Sequence, residues 1–294
     1  MSYFEVEPLV GAMGARIHGV DLRDPPEGEA LAELRRVWLE RLVLVFPGQE
    51  LTPDQQIAAA ARIGRPCINP FVAGLETHPV VIPIIKEPHD VLSFGSGWHT
   101  DQTFESVPPM ASLLYLKEVP PQGGDTLWSD QYQAYEALSP AMRTLLEGLV
   151  ALHDASDSYG PKGEYGTSEA HKHSMKILVS KEAEVAARHP VVCRHPETGR
   201  PFLFVNQVFT KRLEGFSEAE GRALLGFLFR HQQDSTFVFR HRWTAGDVAL
   251  WDNRCTQHHA LNDYQGFRRA AYRVTIANDP AAWSQVWEGK PIAA

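Results

Sequence analysis

The sequence predicts a mainly β chain with flanking helices, an antiparallel barrel or jelly roll. Three observations predict it. Short β-type runs dominate the second half, among them "VVCRHPETGRPFLFVN", "STFVFRHRW", "DVALWD" and "RRAAYRVTIA". These runs do not alternate regularly with helices, as the strands of a parallel α/β sheet would. The helices that do occur are amphipathic and capped, and suit the outside of a sheet rather than a bundle. With no internal repeat and no low-complexity linker, residues 1–294 are expected to form a single domain.

Each element has its own signal. In "GEALAELRRVWLERL", Leu31, Leu34, Val37, Trp38 and Leu42 recur at helical spacing on one face. "VLVFPG" reads as a buried strand stopped by a Pro-Gly turn. "TPDQQIAAAARIG" predicts a helix capped by Thr52, with Pro53 at its first position and Gly64 at its end. "PVVIPII" and "MASLLYL" are strand-like. "DQYQAYEALSPAMRTLLEGL" is helical with an interruption near Pro140. Gly199 marks the turn of a hairpin around "PETGR", and Ser217 with Glu220 form a capping-box pair opening the last long helix. The polar, aperiodic "ASDSYGPKGEYGTSEA" reads as a long loop, and such loops often cover active sites.

Composition narrows the function. Apolar residues make up 44% of the chain and charged residues 22%, values that support a sizeable core. A formal net charge of -8 without a basic run argues against a nucleic-acid partner. No apolar stretch approaches the ~18 residues of a membrane span, and "MSYFEVEPLV" lacks the pattern of a secretory leader. Cys67, Cys193 and Cys255 are few and scattered, which is expected of reduced thiols in a cytoplasmic protein.

The chemistry centres on "GSGWHTDQTF". In a strand, His99 and Asp101 would project to the same side and bring two metal-binding side chains together. A surface strand with a polar face is the alternative. Near the C-terminus "WDNRCTQHH" follows an apolar strand and supplies His258 and His259, of which at most one could face the same metal; periodicity does not choose. In the last strand residues 269, 271, 273 and 275 share a face reading Arg-Ala-Arg-Thr. With Val274 and Ile276 opposite, Arg269 and Arg273 could line an interior that receives anions, since a guanidinium binds a carboxylate through two parallel hydrogen bonds.

Together these residues resemble the iron(II)/2-oxoglutarate-dependent dioxygenases of the taurine and phenoxyacetate dioxygenase (TauD/TfdA) family. His99-x-Asp101, Thr126, His258 and Arg269 follow that family's order, and "WHTD.TF", "P..GGDTLW", "HP.TG" and "WDNR.TQH" match its words. The resemblance runs over nearly the whole chain. It implies a double-stranded β-helix, the cupin-like jelly roll, and a facial triad of His99, Asp101 and His258 holding Fe(II) with three positions open. It also implies that Arg269 and Thr126 bind the distal carboxylate of 2-oxoglutarate, with O2 as the other cosubstrate and succinate and CO2 as products. Family members are commonly dimers or tetramers, so a homo-oligomer is expected.

Similarity to the taurine enzymes places Arg273 where an arginine grips a sulfonate, and Phe104, Tyr159 and Phe209 along the substrate's apolar flank. The chain departs from those enzymes at three polar or bulky positions: Asn69 stands about where they have a histidine, Val72 near a tyrosine, and Gly95 about where they have an asparagine. A small anionic organic substrate larger or more apolar than taurine is therefore expected: an aryloxyalkanoate, an alkyl sulfate or a sulfonate. Hydroxylation beside the heteroatom would release a phenol or sulfite. Trp98, Phe104, Trp128 and Trp251 are available as dry walls. His171 and His173 are expected to be solvated, and His195 to have no catalytic role. Taurine dioxygenase proper, a zinc hydrolase or cupin-type isomerase, and a non-catalytic jelly-roll binding module are the competing readings.

Overall fold

The computed structural model describes residues 2–11, 13–167 and 173–287. The chain opens with a hairpin of β1 (Glu5–Val10) and β2 (Met13–His18), then α1 (Gly28–Arg41), β3 (Val43–Phe46) and α2 (Pro53–Ile63). Next come β4 (Pro66–Cys67), β5 (Val81–Lys86), β6 (Ala111–Glu118), β7 (Thr126–Asp130), α3 (Gln131–Glu136) and α4 (Pro140–Leu146). The middle holds β8 (Val150–His153), α5 (Ser156–Tyr159), β9 (Ala187–Pro190), β10 (Val192–Arg194), β11 (Pro201–Leu203) and β12 (Thr210–Leu213). The last part holds α6 (Glu218–Gln232), β13 (Val238–His241), β14 (Val248–Asp252), β15 (Thr256–Ala260), β16 (Arg269–Ile276) and α7 (Pro280–Ser284).

Two sheets make the jelly roll. The larger runs β1-β2-β3-β14-β6-β16, with β4 and β5 both paired to β16; the smaller runs β13-β7-β15. All these pairings are antiparallel except β2 with β3. The outer face of the large sheet packs on α1 and α2. There Trp38, Ala60 and Ile63 join Leu250, Val274 and Ile276 in one apolar cluster. The alternation in β16 therefore works as expected: Val274 and Ile276 face the helices, while Arg269, Arg273 and Thr275 are buried on the other side.

The predicted caps are present. Thr52 accepts from the Gln55 amide while the Gln55 side chain accepts from the Thr52 amide, and Ser217 and Glu220 do the same at α6. The helix expected around Pro140 is two helices, because Ser139 caps a new start with Pro140 at its first position. "STFVFRHRW" begins with a 3-10 turn, Ser235–Phe237, and becomes a strand only at Val238. The β1–β2 hairpin and the sheet β12-β8-β9 went unread in the sequence. In β1 all six residues are exposed or half-buried, with Pro8 among them, so it carries little apolar periodicity.

The most informative difference lies in "GSGWHTDQTF". His99 makes a two-residue antiparallel bridge to His258, and residues 101–107 then form turns and bends instead of a strand. Side-chain alternation is thus not what brings His99 and Asp101 together.

Candidate metal centre and its two cavities

His99 and His258 face each other across the bridge and exchange both backbone hydrogen bonds: His99 N donates to His258 O at 3.0 Å, and His258 N to His99 O at 2.7 Å. Their rings lie 4.1 Å apart, centroid to centroid. Because neighbours on a strand point oppositely, His259 turns away and meets the edge of Trp98 instead. His99 Nδ1–H donates to the Gly97 carbonyl at 2.9 Å, which leaves the Nε2 lone pair free.

Asp101 is delivered by a backbone clamp. The buried Asn253 accepts from the Asp101 amide through Oδ1 at 2.8 Å and donates through Nδ2 to the carbonyls of Asp101 and Pro109, at 3.0 and 2.9 Å. The carboxylate is then held at both oxygens: Ser112 Oγ donates to Oδ2 at 2.8 Å, and Arg273 Nη1 to Oδ1 at 2.9 Å. Oδ1 stands 3.7 Å from His99 Nε2 and 3.9 Å from His258 Nε2. One ligand atom from each of the three residues lies within 4.8 Å of the others. Ligands each about 2.1 Å from a shared ion would lie some 3–4 Å apart, so this spacing fits a metal.

Electrostatics agree. Burial alone would push the Asp101 carboxyl up, but Arg273, His258 and His99, with the Ser112 hydroxyl, hold it down to about 2. Burial pushes the His99 and His258 imidazoles below their ordinary range, His258 further because His99 sits beside it. One carboxylate and two neutral imidazoles form a donor set suited to a divalent transition metal with open positions.

A cavity of about 30 Å³ adjoins the histidines and is lined by Thr126, Trp251, His258 and Arg269 among others. Arg269 is buried, and its Nε has no hydrogen-bond partner. Burial lowers its guanidinium pKa. A desolvated guanidinium of this kind suits a carboxylate ligand. Thr126 Oγ accepts from the Trp243 indole N–H at 2.9 Å, leaving its own O–H to donate. The "GGD" preceding Thr126 is explained by space. Gly124 has φ 72°, and a Cβ there would meet the Arg269 Cδ at 3.4 Å and the Tyr264 ring at 3.3 Å.

On the other side of His99 and Asp101 opens a cavity of about 320 Å³. Arg273, Phe104, Tyr159, Phe209, Asn69 and Gly95 all line it, so the expected substrate-side residues other than Val72 are gathered here. Phe104 packs on Phe209 and Tyr159, at 5.0 and 6.3 Å between centroids. Asn69 Oδ1 accepts from the amides of Phe71 and Val72 at 2.9 and 3.0 Å. Gly95 borders both cavities and has φ 79°; a Cβ there would stand 3.6 Å from His99 Cε1. Part of the long loop covers the cavity, with Tyr159 stacked on Tyr165 at 5.7 Å.

Four expectations need correction or narrowing. Val72 does not line the cavity; it is buried in the apolar cluster behind it. Of the four aromatic residues, Phe104 and Trp251 line cavities, whereas Trp128 belongs to the core and Trp98 packs on His259. His173 is half-buried and meets the Tyr165 ring edge, so it is not a solvated residue. Residues 168–170 of the long loop, and His171, lie outside the described residues.

Asn253, Ser112 and Trp243 were not singled out from the sequence. Asn253 stood inside the quoted "WDNR" but carried no local signal of its role, and Ser112 and Trp243 read as ordinary strand residues. A second cluster, His195, Asp252 and Cys255, is buried and close enough to resemble a metal site. There Asp252 already accepts from Arg254 Nε and Nη2, at 2.8 and 2.7 Å, and from His195 Nε2–H at 3.0 Å. A fixed guanidinium on that carboxylate repels a cation, so the cluster ties the "HPETGR" turn to β14.

The family model described as "Taurine catabolism dioxygenase TauD, TfdA family" matches residues 5–275. The chain is 33% identical over 284 residues to an alpha-ketoglutarate-dependent sulfate ester dioxygenase of Pseudomonas putida, covering 94% of this chain and 90% of that one. It is 33% identical over 288 residues to the alpha-ketoglutarate-dependent 2,4-dichlorophenoxyacetate dioxygenase of Cupriavidus pinatubonensis, covering 92% and 97%. The crystal structure of a taurine dioxygenase from Burkholderia xenovorans superimposes with a TM-score of 0.78 at 35% identity, over 94% of this chain and 92% of that one. Fold, site and similarity thus converge: the chain belongs to the TauD/TfdA family and is an alpha-ketoglutarate-dependent, that is 2-oxoglutarate-dependent, dioxygenase.

Proposed function

We propose that this chain, as one domain, hydroxylates a small anionic organic substrate beside a heteroatom, using Fe(II) held by His99, Asp101 and His258. When bound, Fe(II) with 2-oxoglutarate and O2 would supply the oxidant that removes a substrate hydrogen, leaving succinate and CO2. Arg269 and the Thr126 hydroxyl would bind the distal carboxylate of 2-oxoglutarate, and so orient its keto acid end toward the histidines. Arg273 would hold the acidic head of the substrate. Phe104, Phe209 and Tyr159 would flank the carbon to be attacked and keep water from it.

The observation that carries this reading is the position of Arg269: a buried guanidinium with an unpartnered Nε, in a cavity that touches His258. A zinc hydrolase or isomerase would have no use for it. Of the substrate classes, the 320 Å³ cavity with its aromatic flank suits an aryloxyalkanoate, alkyl sulfate or longer sulfonate better than taurine. Hydroxylation at the carbon bearing the heteroatom gives an adduct that collapses to a carbonyl compound, expelling a phenol, sulfate or sulfite respectively. Among the described residues no helix is long and apolar enough to cross a membrane, and the three cysteines are free, which supports a cytoplasmic setting.

The test is succinate formation by the Fe(II)-loaded protein with 2-oxoglutarate and O2, across taurine, alkyl sulfates, alkyl sulfonates and aryloxyalkanoates. Turnover above the substrate-free background, with stoichiometric release of the matching leaving group, is expected from one anionic class other than taurine. Preference for taurine would restore the taurine dioxygenase reading and remove the argument from Asn69 and Gly95. No stimulation by any anion would sink the substrate proposal.

A further inference from the structure

Two segments that line the larger cavity are joined by one buried carboxamide that the roles above leave without a task. Asn206 is 1% exposed and stands behind the cavity lining. Its Nδ2 donates to Thr103 Oγ1 at 3.0 Å, and its Oδ1 accepts from the Phe209 amide at 2.8 Å. Its own backbone is pinned as well: Asn206 N donates to Thr210 Oγ1 at 2.9 Å, and Thr210 N to Asn206 O at 3.1 Å. Thr103 directly precedes Phe104, so the two ends of one side chain hold the segments that carry Phe104 and Phe209. Those two rings meet edge to face with centroids 5.0 Å apart. Phe209 also meets the His99 ring edge to face, at 6.1 Å.

The turn from Asp101 to Phe104 is anchored at both ends. Asn253 holds Asp101 at its amide and carbonyl. At the other end Thr103 is fully buried; its hydroxyl meets Asn206 and His153, and its carbonyl accepts from His189. Gln102, between the anchors, has φ 53°, a left-handed conformation unfavourable for a residue with a Cβ. Such a conformation persists only where its surroundings over-determine it. The placement of Phe104 relative to Asp101 is therefore set by the anchors, and not by the preference of the chain.

We propose that Asn206 is a positioning residue: it locks Phe104 and Phe209 against each other, at a fixed place relative to Asp101, and so decides where the apolar part of the substrate rests. This rests on the anionic-substrate reading above and is independent of which acidic head is taken. Phe104 and Phe209 face the substrate space, and Asn206 acts only through them. A carboxamide suits the task because it carries a donor and an acceptor on one rigid plane. Precise placement matters to a reaction at one carbon, since a displacement of about 1 Å can cost on the order of 100-fold in rate.

The test compares wild type with Asn206→Ala and with Thr103→Val, which breaks the same hydrogen bond from its other end and is similar in shape. The probes are phenoxyacetate and hexyl sulfate. Their Kd is read by calorimetry on the Mn(II)-loaded protein with 2-oxoglutarate, and succinate and leaving group are then counted with Fe(II) and O2. Both variants should weaken the probe that wild type binds more tightly by ~5- to 10-fold, as for one lost buried hydrogen bond. More succinate should form per leaving group released, because the probe is misplaced while 2-oxoglutarate is still consumed. The Kd values for Mn(II) and 2-oxoglutarate should stay unchanged. A role in stability alone would lower the melting temperature without moving the ratio of succinate to leaving group. Thr103→Val carries the test if Asn206→Ala does not fold. Probe affinity and product ratio that match wild type in the folded variants would overturn the positioning role. Loss of Mn(II) and 2-oxoglutarate affinity in step with the probe would also overturn it, since the amide would then serve the whole fold. Failure of wild type to bind either probe would remove the anionic-substrate reading and this inference together.

Discussion

Arg273 Nη1 donates at 2.9 Å to Asp101 Oδ1, the same carboxylate oxygen that faces both histidine Nε2 atoms. The two side chains are almost fully buried. The arginine expected to grip substrate therefore also compensates the buried charge of Asp101. Removing one partner of such a pair strands the other, at a cost of roughly 3–5 kcal/mol. Arg273→Ala should lower the stability of the metal-free protein by about that amount, and added Mn(II) should restore part of it by pairing with Asp101. Urea melts with and without metal check this. A metal-free variant as stable as wild type would mean that Arg273 does not compensate Asp101.

Chelation should abolish succinate formation, and Fe(II), in contrast to Zn(II), should restore it. Asp101→Ala should lose both metal binding and 2-oxoglutarate-dependent O2 uptake. Substrate turnover restored by Zn(II) without O2 uptake or succinate would instead bring back the hydrolase reading.

Trp243 reaches the smaller cavity, proposed for 2-oxoglutarate, through Thr126, whose Oγ accepts its indole N–H. Trp243→Phe keeps most of the packing and frees the hydroxyl to rotate. The expected result is a several-fold rise in the KM for 2-oxoglutarate with little change in kcat, in line with one hydrogen bond of about 1 kcal/mol. Arg269→Ala should raise that KM much further. A Trp243→Phe variant with a wild-type KM would show that the indole only fills space.

Asn253 is fully buried and makes three hydrogen bonds that fix the backbone at Asp101 and Pro109. Asn253→Ala should destabilise the protein by on the order of 2–4 kcal/mol, since several backbone groups lose their partners. It should also weaken metal affinity, because the turn carrying Asp101 is no longer held. Thermal melts and metal titration of the same preparation separate the two effects.

His189 gives a pH dependence. Burial pushes its imidazole down from 6.5 to about 4, against two carbonyls, Thr103 O and Glu105 O, that accept from Nε2–H and favour the charged form. Between those pH values the unfolded chain binds a proton that the native chain does not. Stability is then full above about pH 6.5 and falls as the pH drops toward 4, by on the order of 3 kcal/mol. His153, lowered further by burial and by His189 beside it, adds to the same slope. Because both rings contact Thr103, acid should loosen the turn that carries Asp101 and Phe104. His189→Gln should flatten the melting temperature between pH 6.5 and 4; an unchanged slope would assign it to other groups.

Local physics made much of the fold legible. The caps of α2 and α6 were readable because each is made within four consecutive residues, Thr52–Gln55 and Ser217–Glu220. The two faces of β16 were readable because alternation is a property of any extended chain. The β1–β2 hairpin was not, since its exposed strand carries little apolar pattern and is held by pairing to the rest of the sheet.

For the site, the sequence by itself determined the chemical inventory: two histidines and one carboxylate in family order, two arginines on the same face of one strand, and a threonine after a glycine pair. Only the tertiary structure decided how these act together. It delivered Asp101 by a turn clamped by Asn253, turned His259 toward Trp98, and put Arg273 on the Asp101 oxygen that faces both histidines. The physical reason is range. Periodicity and capping act within a few residues, whereas Asn253 and Arg273 reach Asp101 across more than half the chain, and such partners become neighbours only when the two sheets close on each other.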